Sequence, residues 1–472
     1  MRLRTETDRE RLERVVFEPI GKTSPRYWGL VGFLLAVLAW GLYAYIVQLN
    51  YGLASTGMGD TVIWGFYLVN FVFFIGISHA GTLISAILRV TGAGWRTPIT
   101  RMAEMITVVA ISIGALMPII DMGRPERVLN MFTLGRFQSP LLWDIIAITT
   151  YLSGSMIYFY LPMIPDLAIM RDRLGSGASA FKRRVFNMLA VGWKNTPEQH
   201  RRLEKAIGIM AVTIIPIAIS VHTVVAYVYS MMLRPGWDST IFGVYFVIGA
   251  IFSGIASVMI IMAVFRKVFH FEEYITERHF KNLSILLISV LFMYLYLTIG
   301  EYLTIGYKLK VEEKHLLELL MLGQNAVWFW FFIIAGQIIP AILLLVRRGR
   351  VIPRILIAAV LINVAMWVKR FVIIIPTLQV PVMPYEFGNY TPSWVEWSIT
   401  AAAFAAVALI FTVLAKFLPL ISVWEVAEER EAEGVRQKTQ SFVERLGMAP
   451  RELEGFFNRI LGQRGRDDDS EK

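Results

Sequence analysis

The chain has 472 residues, of which 56% are hydrophobic and 17% charged, and its formal net charge is +10. Soluble domains carry about 25% charged residues, whereas this chain has many apolar runs long enough to cross a hydrocarbon layer of about 30 Å. A soluble enzyme, a nucleic-acid binder and a disordered scaffold are therefore excluded, and the sequence predicts an all-α polytopic membrane protein.

Cysteine is absent from the chain. Without cysteine the chain cannot form a disulfide, a thiolate zinc site, a cysteine-held iron–sulfur cluster or a covalent c-type haem attachment. These classes of metal and redox site are therefore excluded.

Ten apolar segments are each long enough to span a membrane. A short polar region precedes the first of them, and a longer polar region follows the last. The predicted spans are residues 27–49, 61–90, 99–120, 140–163, 205–233, 240–265, 281–305, 325–346, 353–376 and 393–421.

Lysine and arginine are divided unequally between the two sides that these spans define. Of the 46 basic residues, 37 flank one side and 7 flank the other, while Lys369 and Arg370 lie within the ninth span. Because cytoplasmic loops carry the excess of basic residues, both termini are predicted to be cytoplasmic. No cleavable signal peptide is evident, so we expect a multi-pass protein of a bacterial inner membrane.

The chain divides into six predicted segments. An N-terminal segment, either a short surface helix or a solvated tail, leads into a first flanking helix with its loop. Two four-helix bundles and a last flanking helix follow, and the chain ends in a cytoplasmic tail with one or two amphipathic helices over 422–462. In this order the segments are residues 1–26, 27–60, 61–233, 234–376, 377–421 and 422–472.

The two bundles are predicted from an internal repeat. Residues 65–78 and 243–256 are identical at six of fourteen positions, and at a similar offset Asp121 matches Glu301. Four crossings separate the repeated spans, so the repeats point the same way, and we expect parallel-related bundles of spans 2–5 and 6–9. The alternative is that two apolar helices resemble each other by chance.

His79 lies in the second span among small residues, in the sequence Gly-Ile-Ser-His-Ala-Gly over 76–81. Small residues let a neighbouring helix or a flat ligand approach closely. Polar groups at bilayer depth need a partner, water or a function, and imidazole can donate to or accept from a carbonyl or hydroxyl. The pattern favours a functional histidine over one that only bonds a neighbouring backbone.

Asp121 ends the third span in the sequence Asp-Met-Gly-Arg-Pro-Glu-Arg. The spacing puts its carboxylate beside Arg124 and Arg127 at the outer surface, and Gly123 and Pro125 predict a tight break after the helix. The pattern fits a functional carboxylate and a structural ion pair that fixes the loop equally well.

Asp144 lies in the first turns of the fourth span, after Ser139 and Pro140. These two residues are typical of a helix N-cap and a first-turn proline, and the positive helix end stabilises a nearby carboxylate. The pattern favours an acid at the membrane interface over a member of a proton relay.

A further set of acidic and basic residues lies within the predicted spans. Such groups along a bundle are the components of a proton relay, with Asp144 as another candidate, and equally the components of buried ion pairs that hold helices together. The set consists of Glu104, His222, Glu301, Lys369 and Arg370.

The two intramembrane histidines are predicted to lie at different depths. At 1.5 Å per residue, His79 lies about 15 Å from Arg89, and His222 lies about 26 Å from Lys205 on the same side. Because these depths differ by roughly 10 Å, we do not expect the two histidines to hold a haem together. The chain is expected to carry no haem or metal.

Spans 2–9, with His79 in the first bundle and an Asp-x-Gly-Arg-Pro turn over 121–125, resemble the polysulfide reductase membrane subunit (NrfD/PsrC) family. The turn is the most specific feature, and the resemblance covers roughly residues 27–421. Length, ten spans and a cytoplasmic tail are most similar to the ActC branch, from the bacterial quinol-oxidising Alternative Complex III.

The resemblance implies a cofactor-free quinol site, for menaquinol, near the outer end of the first bundle. His79 and Asp121 would contact quinol or accept its protons, and Arg124 and Arg127 would shape the site or a partner surface. The resemblance also implies an extracytoplasmic iron–sulfur subunit as electron acceptor, cytochrome c subunits and a second homologous membrane subunit. Proton coupling through Glu301 and the Lys369–Arg370 pair is a further hypothesis.

The predicted depths of His79 and Asp121 conflict with a shared head group. Asp121 lies about 30 Å along its helix from Arg101, at the outer edge, whereas His79 lies nearer mid-depth. Unless the second span tilts or protrudes, a water chain must join the two residues.

Two other functional classes fit the sequence. A secondary transporter also contains repeats and intramembrane charges, although its broken helices usually occur in pairs at matching places. A simple membrane anchor of a redox complex is the second alternative. A quinone bound to the purified protein would argue against both.

Overall fold

A computed structural model of the chain describes residues 8–20, 23–173, 180–346, 351–428 and 430. Sixteen α-helices, joined by turns and short 3-10 segments, account for most of these residues. They are α1 (Asp8–Phe17), α2 (Pro25–Tyr51), α3 (Phe66–Val90), α4 (Thr97–Asp121), α5 (Asn130–Thr133), α6 (Pro140–Tyr160), α7 (Ile164–Arg173), α8 (Ala180–Leu189), α9 (Pro197–Ser230), α10 (Phe242–Val268), α11 (Glu277–Lys308), α12 (Val311–Met321), α13 (Ala326–Ile333), α14 (Ile339–Leu345), α15 (Val351–Gln379) and α16 (Trp394–Phe417).

Ten helical segments in the described part of the chain are long and apolar enough to cross a membrane. They match the ten predicted spans one to one, and two of them combine neighbouring helices, α6 with α7 and α13 with α14. The prediction of an all-α polytopic membrane protein is therefore confirmed.

The helix starts follow local capping rules. Pro140 begins α6 as predicted, and Ser139 before it is extended, but the Ser139 side chain makes no capping hydrogen bond. Thr196 and Ser393 instead form complete capping boxes at the starts of α9 and α16. These boxes satisfy amide groups that the helix itself leaves without partners.

The predicted break after the third span is confirmed. Asp121 is the last residue of α4, and a 3-10 turn follows at Pro125–Leu129. Between them Gly123 has φ +64°, in the left-handed region that glycine tolerates best. A Cβ at Gly123 would also lie 2.9 Å from Leu53 Cγ, so both backbone and packing require glycine here.

α3 lies at the centre of the packing, with most of its residues buried. It contacts α4, α9, α10 and α15. Gly76 and Gly254, which the repeat matches, both lie where α3 meets α10: Gly76 faces Ala250, and Gly254 packs directly on Ala80. The repeated glycines therefore let these two helices approach closely.

α2 and α16, the predicted flanking helices, pack on each other. Gly41 of α2 lies so close to Ala402 of α16 that a Cβ would overlap it. Trp40 Nε1 also donates a hydrogen bond to Ser398 Oγ at 3.0 Å.

A π-helical turn over Ile334–Ile338 separates α13 from α14. Pro340 follows two residues later and lacks the N–H that would continue the helical ladder, which explains an interruption at this place. Gln337 within the turn points inward and donates to Thr298 Oγ1 at 3.3 Å. The span itself was predicted from the sequence over 325–346, but the π-helical turn was not.

We call the end of the helices at which α4 begins the inner end, and the opposite end the outer end. One buried ion pair holds inner ends of the helices together. Arg101 Nη1 of α4 lies 2.6 Å from Asp166 Oδ2 of α7, and both side chains are almost fully buried. The same guanidinium donates to the carbonyl oxygens of Pro162 and Pro419. Arg101 therefore joins three parts of the chain.

Residues Glu13–Ser422 form one compact unit, and the described residues before and after them belong to another. The N-terminal segment contains a helix, α1, so the surface helix is confirmed over Asp8–Phe17 and the solvated tail is not. The tail helices predicted over 422–462 lie, from residue 431 onward, outside the described residues.

Candidate functional site

His79 of α3 and His222 of α9 face each other inside the membrane-spanning unit. Their ring centroids are 4.6 Å apart, and Tyr151 of α6 stacks on His79 at 4.8 Å. All three side chains are buried. We call His79 and His222 the histidine pair.

This contact shows that the predicted depth difference between the two histidines was wrong. α9 has 34 residues and is therefore about 51 Å long, well beyond a hydrocarbon layer of about 30 Å. Its inner end extends past the inner end of α3, so counting from Lys205 overestimated how far His222 lies from that side. The histidines share one level, and the depth argument against a shared ligand does not hold.

The hydrogen bonds of His79 define its tautomer. His79 Nδ1 lies 2.6 Å from the carbonyl oxygen of Ile75. Because a carbonyl oxygen only accepts, Nδ1 carries the proton, and in the neutral ring Nε2 is an acceptor. His79 Nε2 and both ring nitrogens of His222 are buried and make no hydrogen bond of good geometry among the described residues. The backbone of Ala218 lies near the His79 ring, and the backbone of Phe246 lies near the His222 ring.

Polar side chains continue from the histidine pair toward the inner side. Thr107 Oγ1 and the Tyr151 hydroxyl both donate to the carbonyl of Ser78, at 2.6 and 3.0 Å. Two turns further along α3, Ser85 Oγ donates to Glu104 Oε1 at 2.5 Å and lies 3.2 Å from the Tyr158 hydroxyl. Glu104 is therefore part of a polar row on α3, α4 and α6.

Asp144 lies on the outer side of the histidine pair. It is seven residues before Tyr151 in α6, which corresponds to about 10 Å along the helix axis. Its side chain is only 8% exposed, and Oδ1 has no hydrogen-bond partner among the described residues. Asp144 thus faces the protein interior, although its sequence position had favoured an acid at the interface.

Aromatic rings fill the region outward of His222. Tyr229 of α9 packs against Phe246 of α10 at 5.8 Å and Trp237 at 5.0 Å, and Trp64 stacks on Trp237 at 6.0 Å. Tyr229 also lies within electrostatic range of Asp144. The sequence analysis did not single out any of these aromatic residues.

Asp121 lies far from the histidine pair. The hydrogen bond between Thr107 and Ser78 puts these two residues at one level, and Asp121 is fourteen residues further along α4, or about 20 Å. Arg124 and Arg127 are exposed, and among the described residues neither forms an ion pair with Asp121. The structural ion pair that the sequence left open is therefore not formed.

The outer end of α4 instead joins a group that the sequence analysis missed. The Tyr67 hydroxyl donates to Gln48 Oε1 at 2.5 Å, and Gln48 Nε2 donates to the Ile120 carbonyl at 2.8 Å. Both Asp121 and Glu396 interact electrostatically with Tyr67. We call Asp121, Glu396, Tyr67, Gln48 and Tyr390 the outer polar cluster.

Glu396 of α16 is the most enclosed acid of this cluster. Its carboxylate accepts hydrogen bonds from the Tyr390 hydroxyl at 2.6 Å and from the amides of Gly57 and Ser393 at 2.7 and 3.0 Å. Burial and the neighbouring carboxylate raise the pKa of Tyr390, so its hydroxyl stays a donor. The only sequence signal was the Ser393–Glu396 capping pattern, which by itself indicates a helix start.

A second polar group surrounds Lys369 of α15. Lys369 Nζ donates to the Tyr302 hydroxyl at 2.9 Å and lies over the rings of Tyr245 and Phe332, at 5.1 and 4.8 Å. Glu301 lies nearby and accepts a hydrogen bond from Ser239 Oγ at 2.8 Å. An open cleft reaches Glu301 and is lined also by Asp238, Lys308 and Glu313.

Arg370 connects this group with the histidine pair. Its guanidinium lies 5.5 Å from the centre of the Phe246 ring, and a Cβ at Gly76 of α3 would be 3.4 Å from Nη2. Arg370 also interacts electrostatically with His222 and Lys369. Within the described residues Arg370 forms no ion pair, and its Nε and Nη2 have no hydrogen-bond partner.

The structure therefore brings together some of the sequence-predicted residues and separates others. His79, His222 and Arg370 lie close together, Glu301 and Lys369 lie close together in the other half, and Asp121 stands apart. In the described part of the chain, no group of three or more histidine and carboxylate side chains is arranged to hold a metal ion.

Comparison with known protein families gives a match to the polysulphide reductase, NrfD, family over residues 54–382. This range covers more than two thirds of the chain and includes the histidine pair, the Asp121 turn and the Lys369 group. It ends before α16, so Glu396 lies outside the matched range.

Three curated relatives resemble the chain over most of its length. The Hdr-like menaquinol oxidoreductase integral membrane subunit of Archaeoglobus fulgidus is 26% identical over 439 residues, 88% of this chain and 100% of the relative. A subunit of the selenate reductase of Mesobacillus selenatarsenatis is 24% identical, over 84% of this chain and 94% of the relative. The menaquinone reductase integral membrane subunit of Nitratidesulfovibrio vulgaris is 22% identical, over 83% and 91%.

Proposed function

Because the chain belongs to the NrfD polysulphide reductase family, we propose that it is the quinol-binding membrane subunit of a respiratory oxidoreductase complex. Two of its relatives are named as menaquinol or menaquinone oxidoreductase subunits, which supports menaquinol as the substrate. The proposed reaction is oxidation of the quinol, and within the family the chain is proposed to belong to the ActC branch.

The observation that carries this proposal is the state of His79. Its Nδ1 proton is committed to the Ile75 carbonyl, so Nε2 presents a lone pair in a buried setting, with no well-formed hydrogen bond to the described residues. A quinol hydroxyl is the kind of donor that completes this arrangement, and imidazole is a suitable proton acceptor near neutral pH. Stacking by Tyr151 holds the ring in place.

We place the quinol head group between His79 and Asp144. These two acceptors lie about 10 Å apart along the bundle, a span that a ring with two opposed hydroxyls and one water can bridge. Asp144 Oδ1 is buried and has no protein partner in the described part of the chain, like His79 Nε2. The aromatic residues around Tyr229 supply the apolar walls that ligand sites usually have.

Asp121 then acts further along the path instead of touching the head group. Asp121 lies about 20 Å outward of His79. It belongs to the outer polar cluster, from which a proton can reach the surface. Arg124 and Arg127 are exposed beside it and are proposed to face the partner subunit. This division of roles replaces the single site of His79, Asp121 and Arg124 that the sequence suggested.

The electron and proton balance follows from the substrate. Quinol oxidation gives quinone, two protons and two electrons. One proton goes to His79 Nε2 and the other to Asp144, while the electrons pass to iron–sulfur clusters of an extracytoplasmic partner subunit. The proposed complex also contains cytochrome c subunits and a second homologous membrane subunit.

Proton translocation by the remaining intramembrane groups is a second part of the proposal. Arg370 connects His222 with Lys369, and Glu301 borders the cleft that opens toward Asp238. No ion pair joins Asp144, Glu301, Lys369 or Arg370 within the described residues. This favours a relay over ion pairs that only hold helices together. Glu104, on the inner side, would exchange protons with the cytoplasm.

The proposed location is the inner membrane of a bacterium, with both termini in the cytoplasm. The support is the distribution of lysine and arginine, because cytoplasmic loops carry most basic residues. Asp121 and the cleft at Glu301 then face the outer side, where the partner subunit is expected.

The test uses the complete complex purified with His79→Gln and, as a matched control, with the exposed His315→Gln. Loss of a positioned base lowers turnover by about 10²–10⁴-fold, so we expect that loss in quinol oxidation for H79Q alone, with the complex still assembled. Bound quinone is measured by extraction. Turnover near normal in H79Q, or no quinone in the unmodified complex, would contradict the proposal and favour a transporter or a simple anchor.

A further inference from the structure

α8 carries two different faces on the side of the molecule where α6 ends. Phe186 and Ala190 are buried, whereas Met188 and Val191 are 70% and 65% exposed. Arg184 is also exposed, and it lies one helical turn before Met188, so the two share a face. This face is both apolar and basic.

The segment of chain that contains α8 is basic and has no acidic residue of its own. Between Arg173 and Glu198 the sequence contains four basic residues and no acidic residue. Of these, Arg184 and Lys194 are exposed and form no ion pair among the described residues. The neighbouring surface of α9 differs, because Glu198 there pairs with both Arg201 and Arg202.

The position of α8 is fixed at the membrane boundary. The Tyr160 hydroxyl, at the end of α6, donates to the Leu189 carbonyl at 2.6 Å. The span that begins with α6 continues to Arg173, and Tyr160 lies 21 residues into it, or about 30 Å from its start, the thickness of the hydrocarbon layer. We therefore expect the end of α8 at the depth of the lipid head groups. Arg171 holds the next turn by donating to the Trp193 carbonyl at 3.1 Å.

We propose that α8 and the turn to Lys194 bind the head groups of anionic phospholipids. Met188 and Val191 insert at the level where acyl chains begin, and Arg184 and Lys194 contact the lipid phosphates. A basic helix with an exposed apolar face at this depth is the pattern of an interfacial helix, and its attraction is strongest for anionic lipid. The segment combines exposed basic residues with exposed apolar ones and contains no acidic residue. This combination argues for anionic lipid over an acidic protein partner.

The absence of native cysteine makes a direct test possible. In the complete complex, Met188→Cys provides a single labelling site in this subunit for an environment-sensitive fluorophore. The complex is placed in nanodiscs of phosphatidylcholine alone or mixed with phosphatidylglycerol. The control is Glu312→Cys, exposed in α12 at the opposite end of the molecule, and labelling of the cysteine-free subunit in the same complex gives the background.

We expect the label at position 188 to be quenched at least twofold more by nitroxide-bearing lipid when phosphatidylglycerol is present. Arg184→Gln with Lys194→Gln should remove that difference, and high salt should reduce it. Quenching by aqueous iodide that is equal in both lipids would overturn the proposal, because the face would then be in water. Protection from both quenchers in both lipids would also overturn it, because a protein would then cover the face.

Discussion

Gly81 of α3 lies directly against the carbonyl group of Ala103 in α4, with no room for a Cβ between them. The contact joins two closely packed helices, and the side chains of Thr82 and Thr107 form a hydrogen bond beside it at 3.0 Å. The position of His79 two residues earlier therefore depends on backbone packing as well as on its own hydrogen bond.

Substitution of Gly81 by alanine should be strongly destabilising. The added methyl group would overlap backbone, which cannot move without separating α3 from α4, and overpacking of this kind costs about 3 kcal/mol. Gly208→Ala is the control, because its Cβ would have no atom within 4 Å and alanine favours helix. Thermal unfolding of the purified complex in detergent should show a lower midpoint for G81A alone, and equal midpoints would contradict this packing argument.

Removing one member of the Arg101–Asp166 pair should cost more than removing both. Asp166→Asn leaves a buried guanidinium without its counter-charge, which costs about 3–5 kcal/mol. In the double variant Arg101→Met, Asp166→Leu, apolar groups of similar size take both places, so we expect a smaller loss. Chemical denaturation of the two variants gives the comparison, and a double variant less stable than D166N would show that the hydrogen bonds of Arg101 to the backbone matter more.

Substitution of Asp144 and substitution of Asp121 should affect quinol oxidation differently. Asp144→Asn should lower quinol turnover by at least about 10²-fold, because it removes a proton acceptor at the proposed head group. Asp121→Asn should leave quinone binding intact and slow only the proton exit. Extracted quinone and steady-state turnover are measured for both variants, and loss of bound quinone in D121N with normal binding in D144N would reverse the assignment.

Glu396→Gln should loosen the outer polar cluster without changing the histidine pair. Glutamine keeps the size of the side chain but replaces an acceptor by a donor, which weakens the hydrogen bonds from Tyr390 and Gly57 and costs about 1–3 kcal/mol. Hydrogen exchange should rise in the segment 52–65 and at the start of α16. The exposed Glu386→Gln is the control. Equal hydrogen exchange in both variants would show that the Glu396 carboxylate does not stabilise the segment 52–65 or the start of α16.

Lys369→Met should separate electron transfer from proton movement. Methionine fills the space under Tyr245, Tyr302 and Phe332 without a charge, so we expect quinol oxidation to continue while the number of protons released per electron falls. Acidification by the complex reconstituted in vesicles is the measurement, with the exposed Lys314→Met as control. An unchanged proton yield would remove Lys369 from the proposed relay.

The fold could be predicted from the sequence because hydropathy alone determines where a chain crosses a membrane. All ten spans were found, and the break at Gly123 followed from the conformations available to glycine and proline. The π-helical turn was not predicted, since Pro340 by itself does not indicate which helical geometry results from its missing donor. The register between helices was also missed, because the extra length of α9 cannot be read from hydropathy.

The candidate site was predicted residue by residue, but not as an arrangement. His79 and His222 were recognised because imidazole is rare in an apolar span, yet their contact depends on how far α9 extends beyond α3. For Asp144 the sequence favours an acid at the interface, because the residue lies close to the start of its helix. That distance gives the position along the helix, but it does not indicate whether the side chain faces the lipid or the protein interior. Glu396 was missed because its place in the capping box of α16 already explains an acid at this position.

The lone guanidinium of Arg370 has an electrostatic consequence for the two halves of the molecule. With no carboxylate beside it in the described part of the chain, it repels a second positive charge arriving on either of its neighbours, the imidazole of His222 or the amine of Lys369. Because this charge is permanent, it opposes a positive charge on both groups alike, whatever the state of the other. A proton that approaches Arg370 from either half therefore meets the same fixed positive barrier, with no moving helix required.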